Sequence, residues 1–187
     1  MKVQKSFFEG DWIYDCEVYP NIFTLAAVYS NGKGMRVFEI SDRKDQTEEL
    51  LAFLRNVKSS GHRMVGFNNR QFDYGLVDYI IKKSRKALKT GKSIKLKAKE
   101  LYDVGMKLIQ ATKENELSGS IRDKDVVIPQ VDLFLVHHFN NRARATSLKM
   151  LEYNMRSTNI EDLPFPVGTV LNDEQKDILI TYNKHDV

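Results

Sequence analysis

A mixed α/β sheet, opened by three antiparallel strands and flanked by helices, is the fold class this sequence predicts. Three observations carry the prediction. Residues 11–19, 21–29 and 35–40 are short apolar runs with period-two alternation, separated by turn residues. A strand–helix–strand–helix alternation follows, over residues 45–81. One further strand pattern and two helical patterns occupy residues 126–186.

The first run, Ile13-Tyr14-Asp15-Cys16-Glu17-Val18-Tyr19, carries two carboxylates in its middle. Strand side chains alternate faces, so Asp15 and Glu17 share one face while Tyr14, Cys16 and Val18 share the other. Two unpaired acids on one side of a core strand are costly. Two readings stay open on this stretch: an edge strand with a wet face, or a pair of acids that holds a divalent cation. Asn31-Gly32-Lys33-Gly34 is a hairpin turn between the second and third runs. Residues 45–59 place Leu50, Leu51, Phe53, Leu54 and Val57 on one helical face, and Gly61 ends the helix. Residues 62–67 read as a strand ending at Asn68-Asn69. A second helix is expected from Arg70, with Leu76, Val77, Ile80 and Ile81 inward.

Residues 82–120 break this rhythm and read as a basic, helical insertion, with Leu101, Val104, Leu108 and Ile109 marking a helix. Residues 126–134 form the last strand pattern, and His137 and His138 fall at its end or in a loop. Thr146-Ser147 caps a helix that carries Leu148, Leu151 and Met155 on one side. Residues 162–168 are a loop. The final helix starts at Asn172, with Asp173 and Glu174 in its first turn near the positive end of the helix dipole.

A chain of 187 residues is expected to form one domain, and 42% hydrophobic residues suffice for a core. No apolar run is long enough for a membrane span, and the opening residues lack the apolar segment of a secretory signal. The single cysteine excludes a disulfide framework and cysteine-rich zinc sites. Cys16 reads as a small strand residue, and a reducing, cytoplasmic setting fits. The net charge of +4 is uneven: residues 82–99 hold nine Lys or Arg and no acid, which leaves the rest of the chain at −5. Positive charge this dense attracts phosphate backbones, and a solvated helix face is the alternative.

Two further sites give the first acid pair a context. Gly66-Phe67-Asn68-Asn69-Arg70-Gln71-Phe72-Asp73 runs from a strand end into a helix, with Asp73 in its first turn. Tyr182-Asn183-Lys184-His185-Asp186 lies on the final helix, where Leu179, Tyr182 and Asp186 follow i, i+3, i+7 and share a face. Asp-x-Glu, then Gly-x-Asn-x-x-x-Phe-Asp, then Tyr-x-x-x-Asp, in this order and each on its own element, resembles the three exonuclease motifs of the DEDD superfamily. The wording is closest to the proofreading 3′–5′ exonuclease domains of family B and bacteriophage DNA polymerases. The resemblance covers nearly the whole chain apart from residues 82–120. Thr181 stands where the superfamily's other branch has histidine, so the chain resembles the tyrosine branch. Gly75 departs from the proline of many family B members.

The resemblance implies a ribonuclease-H-like fold and a nuclease that uses two Mg²⁺ or Mn²⁺ ions. It implies that Asp15 bridges both ions, that Glu17 and Asp186 complete the site of the ion bearing the attacking water, and that Asp73 holds the second. Tyr182 is implied to orient that water. The expected partner is the unpaired 3′ end of single-stranded or frayed DNA, with release of 5′-mononucleotides; RNA, or binding without catalysis, is the alternative. Asn68 is implied to touch the strand. Phe23 is a candidate base-stacking residue, as is Phe72, for which core packing is the stronger expectation. Lys82, Lys83, Arg85, Lys86 and Lys89 are candidates to grip the backbone. Asp132 is expected to act structurally and His185 to be surface. A chain that stops one residue after the last motif aspartate suggests a fragment of a longer, polymerase-like protein of a bacterium or a phage-infected cell.

Overall fold

The computed structural model describes residues 10–114, 121–138, 146–157 and 160–187. The opening residues 1–9, and residues 115–120 of the expected insertion, lie outside them. Five strands form one mixed sheet: β1 (Asp11–Tyr19), β2 (Ile22–Tyr29), β3 (Arg36–Ser41), β4 (Arg63–Gly66) and β5 (Gln130–Asp132), in the spatial order β3-β2-β1-β4-β5. The first three form an antiparallel meander, in which Asp15 faces Ala26 and Glu17 faces Thr24. On its other side β1 runs parallel to β4, and β4 parallel to β5. The strand that carries the acid pair is therefore central, which removes the wet-edge reading of Asp15 and Glu17.

Six helices accompany the sheet among the described residues: α1 (Thr47–Ser59), α2 (Asp73–Lys89), α3 (Ala98–Glu114), α4 (Leu133–His138), α5 (Leu148–Asn154) and α6 (Asp173–His185). The period-two pattern of β1 sorts the core into two layers. Tyr14, Cys16 and Val18 join Phe23, Leu25 and Phe38 beneath Leu50 and Leu54 of α1, Leu76 and Ile80 of α2 and Leu101 of α3. On the opposite face Tyr19 and Ile22 pack with Leu171 and with Leu179 and Tyr182 of α6.

The structure revises four sequence expectations. α2 begins at Asp73 rather than near Arg70. Asn68 takes a left-handed φ of 57°, and the Asn69 carbonyl accepts the N–H groups of Phe72 and Tyr74, so a turn fills the interval. The helix then continues to Lys89, so the first half of the basic stretch belongs to it and not to an insertion. α3 is no appendage either, because it packs directly on β1, β2 and α2. Gly75 makes room for that approach: a Cβ there would sit 2.6 Å from Leu108 Cδ1 of α3. Finally, β5 has three residues instead of nine. The N–H groups of Val127 and Ile128 donate to the Tyr74 hydroxyl instead of a strand neighbour, and Asp132 accepts the Phe134 N–H and opens α4. His137 and His138 thus fall in a short helix.

The expected helix caps are present. Ser147 accepts the Met150 N–H, and Asn172 forms a reciprocal capping box with Gln175. α6 is tied to the meander by the buried Lys176, whose ammonium pairs with Asp42 and Asp173, and by Arg43, which bridges Glu39 and Asp177. Asn21 adds two hydrogen bonds to the Leu171 backbone just before it.

Where β4 ends, Gly66 is crowded: a Cβ there would lie 2.9 Å from Asn69 Cβ and 3.1 Å from the Tyr14 carbonyl oxygen. Gly66→Ala is expected to cost about 1–3 kcal/mol through this overpacking, read as a lower midpoint in urea unfolding; an unchanged midpoint would mean the turn yields freely. Among the described residues, no helix is long and apolar enough to cross a membrane.

Candidate metal centre

β1 and β4 pair only from Asp11–Arg63 to Ile13–Val65 and then separate. Past that point the β4-facing edge of β1 has lost its strand partner, and the Cys16 N–H donates to Asp73 Oδ1 at 3.0 Å instead. Asp73 reaches this place because the Asn68–Asn69 turn aims the first turn of α2 into the gap. The turn is held by Asp132, whose carboxylate accepts the N–H groups of Asn68 and Arg70. Asp132 is buried and acts structurally, as the sequence suggests.

The gap opens into a crevice of about 390 Å³ lined by Asp15, Glu17 and Asp73, with Asn68 and Phe72 on one side and Lys113 of α3 on another. Crevices at the carboxyl ends of parallel strands are where open α/β sheets bind ligands. From the other face of the sheet, the end of α6 brings Asp186 to the same place. Asp15, Glu17 and Asp186 each present a carboxylate oxygen, and the three oxygens lie within 4.8 Å of one another.

The electrostatics follow from this crowding. Burial and the neighbouring Asp186 push the Asp15 carboxyl up to about 7. Burial raises Glu17 well above the usual carboxylate range, with Asp15 and then Asp73 adding to it. Burial and Asp15 do the same to Asp73, against the opposing hydrogen bond from Cys16. Tyr182 is 9% exposed, and burial together with Asp186 raises its phenol so that it keeps its proton. The Cys16 thiol is raised by burial and by Asp73, and is therefore unreactive.

The residues fit a hard divalent cation. Three carboxylates converge, none of them paired with an arginine or lysine among the described residues, and oxygen donors suit Mg²⁺ or Mn²⁺. Asp73 stands outside the trio, with one oxygen committed to Cys16, but shares the crevice with Asp15.

One residue at this site had no signal in the sequence. Asn183 is fully buried; its amide donates to Asp15 Oδ2 at 2.7 Å, and its carbonyl oxygen accepts from the Thr24 hydroxyl at 3.2 Å. Thr24 lies opposite Glu17 in the strand register. The chain Thr24–Asn183–Asp15 fixes which way the central acid points. Outer partners of this kind are worth about 10–100-fold in metal affinity, so Asn183→Leu is expected to weaken Mn²⁺ binding by that factor in a calorimetric titration. Equal affinity in the variant would show that Asp15 holds its orientation without help.

The nucleic-acid candidates divide. Asn68 and Phe72 line the crevice, and the Asn68 side-chain oxygen is buried without a partner among the described residues. Phe23 does not reach it: the side chain is fully buried on the opposite face of the sheet, among the residues beneath α1 and α2, and has no surface left for a base. Lys83 is half-buried and tied to Glu100, which also accepts from Tyr79. Lys82, Arg85, Lys86 and Lys89 lie nine to sixteen residues beyond Asp73, which at the helical rise is about 14–24 Å along the axis. The structure brings none of them to the acids; among the described residues Lys113, from the helix read as an insertion, lines the crevice. His185 approaches Asp186 at 3.5 Å.

The fold and the crevice thus define an α/β protein with a converging carboxylate site at the open end of a mixed sheet. No protein-family model, no curated protein and no solved structure matches the chain.

Proposed function

We propose that this chain is a divalent-metal-dependent 3′–5′ exonuclease of ribonuclease-H-like fold. In this reading it removes nucleoside 5′-monophosphates from the unpaired 3′ end of single-stranded or frayed DNA, in polymerase proofreading or phage DNA metabolism. The observation that supports the reading best is the meeting of Asp15 and Glu17, from β1, with Asp186, from the end of α6; Asp15 and Glu17 also line the crevice that holds Asp73, and Tyr182 lies beside Asp186. Acids brought together from opposite ends of the sequence destabilise the fold unless a cation offsets their repulsion.

Asp15, Glu17 and Asp186 would hold one ion, and Asp73 with Asp15 a second. Such ions, when bound, make a water nucleophilic near neutral pH and stabilise the departing 3′ oxygen. The protein's own groups do the rest. Asn183 holds Asp15 in place. Tyr182 retains its proton and so orients a water by hydrogen bonding rather than acting as a base. Lys113 puts positive charge at the edge of the crevice, where a phosphate would enter, and Asn68 lines the crevice where the terminal nucleotide would sit.

The test is a 5′-labelled single strand incubated with Mg²⁺ or Mn²⁺. A ladder shortening from the 3′ end is expected, with none in chelator; internal cuts, or shortening without metal, would refute the reading. Matched DNA and RNA strands in the same assay decide the sugar.

A further inference from the structure

The cations of α2 that lie away from the acids make a surface of their own. Lys82, Arg85, Lys86 and Lys89 are spaced i, i+3, i+4, i+7 and are all exposed, so they form one stripe along the helix. Beside the stripe is a cavity of about 480 Å³, into which Lys82 and Arg85 are joined by Lys58 from the last turn of α1 and Lys124 from the 3₁₀ turn at Asp123–Asp125. The nearby acids are already engaged. Asp125 pairs with Arg122 at 2.7 Å, and Asp78 with Lys82 at 2.6 Å. Lys58, Arg85 and Lys124 make no ion pair with any described residue. Four cations from three separate elements therefore converge with less negative charge than they need, an arrangement that attracts an anion.

The position of this cavity sets it apart from the acid crevice. Lys58 precedes β4, and the lining residues Val126 and Val127 precede β5, so the cavity sits at the amino ends of the parallel strands. The acids sit at the carboxyl ends. A nucleotide held among the acids cannot also fill the cavity.

We propose that this cavity and stripe bind the sugar–phosphate backbone of a nucleic-acid segment at a second site, separate from the one that would receive a 3′ end. A polymer fits better than a single phosphate because the stripe extends beyond the cavity. From Lys82 to Lys89, seven positions along the helix, the stripe spans about 10 Å, or roughly three phosphates of a stacked strand. Among the described residues no aromatic side chain lines the cavity, so recognition is by backbone charge, without base stacking and without sequence preference. The inference goes beyond the proposed exonuclease activity and does not depend on hydrolysis.

The test measures binding alone. Fluorescently labelled oligo-dT strands of about 6 and about 20 nucleotides are titrated with the full chain in chelator, over a range of salt. The triple variant Lys58→Gln/Arg85→Gln/Lys124→Gln is expected to lose about tenfold or more in affinity for the longer strand, and its log–log salt slope should flatten by about 2, the contribution of three single-strand phosphates. Lys86→Gln/Lys89→Gln gives an independent measurement on the stripe and should flatten the slope by about 1. Unchanged affinity and slope in both variants would overturn the proposal. So would equal binding of the short and long strands with displacement by inorganic phosphate, which would mark a single-phosphate site. If binding behaves as expected while no strand is ever shortened with metal, the exonuclease reading fails and this site stands.

Discussion

Asp15→Asn is expected to lower any metal-dependent shortening of a 3′ end by at least about 10³-fold, the rate equivalent of roughly 4 kcal/mol of lost transition-state stabilisation. The size follows from position. Asp15 lies in the central strand, belongs to the oxygen trio, interacts with Asp73 and is oriented by Asn183. Asp186→Asn should act as severely, because α6 contributes no other carboxylate to the trio. Tyr182→Phe should cost less, about 10²-fold, as the loss of one oriented hydrogen-bonding group. The informative comparison is between activity and folding. Asp15→Asn removes charge from a crowded site, so the metal-free variant should melt no lower than the parent. An inactive variant that also fails to fold would say nothing of catalysis; an active, folded Asp15→Asn variant would end the exonuclease reading.

The second large effect is on stability against pH. Asp15 has its folded-state value raised to about 7, and Glu17 and Asp73 are raised as well, chiefly by burial. From about pH 4 to 7 the folded chain therefore keeps protons that the unfolded chain has released. The stabilisation is complete below the ordinary carboxylate range and disappears as pH rises through about 7. The metal-free melting temperature should fall by about 5–10 °C between pH 5 and pH 8. Divalent ions should reverse the trend, since they bind the deprotonated acids and release protons on binding. Mn²⁺ should thus stabilise most at the alkaline end, and Asp15→Asn should flatten the metal-free curve. A melting temperature that rises with pH in chelator would mean the acids are not crowded as described.

The faces of β1 were legible because alternation in a strand is strict: Asp15 and Glu17 do share one side, and Tyr14, Cys16 and Val18 lie buried on the other. The helices with a clear apolar stripe and a recognisable cap, such as α6, were legible for the same kind of local reason. Long-range partners were not. A short apolar run ending in Asp132 reads as a strand, and only tertiary structure shows that the Tyr74 hydroxyl takes the N–H groups of Val127 and Ile128. The apolar face of α3 was visible, but its seat on β1 was not, so Lys113 was missed and the lysines of α2 were given its place. Asn183 sits between a motif tyrosine and a lysine, where a polar residue reads as surface, and Phe23 reads as available until its face of the sheet is known.

The acid trio joins Asp15 and Glu17 to Asp186, across most of the chain. Closing so long a loop costs chain entropy that the contacts it makes must offset. On the ribosome, the amino-terminal meander can form while α6 is still unsynthesised, so the nascent chain carries two carboxylates and no complete cation site. Any activity that depends on a cation held by the trio would therefore arise only once α6 has joined the meander.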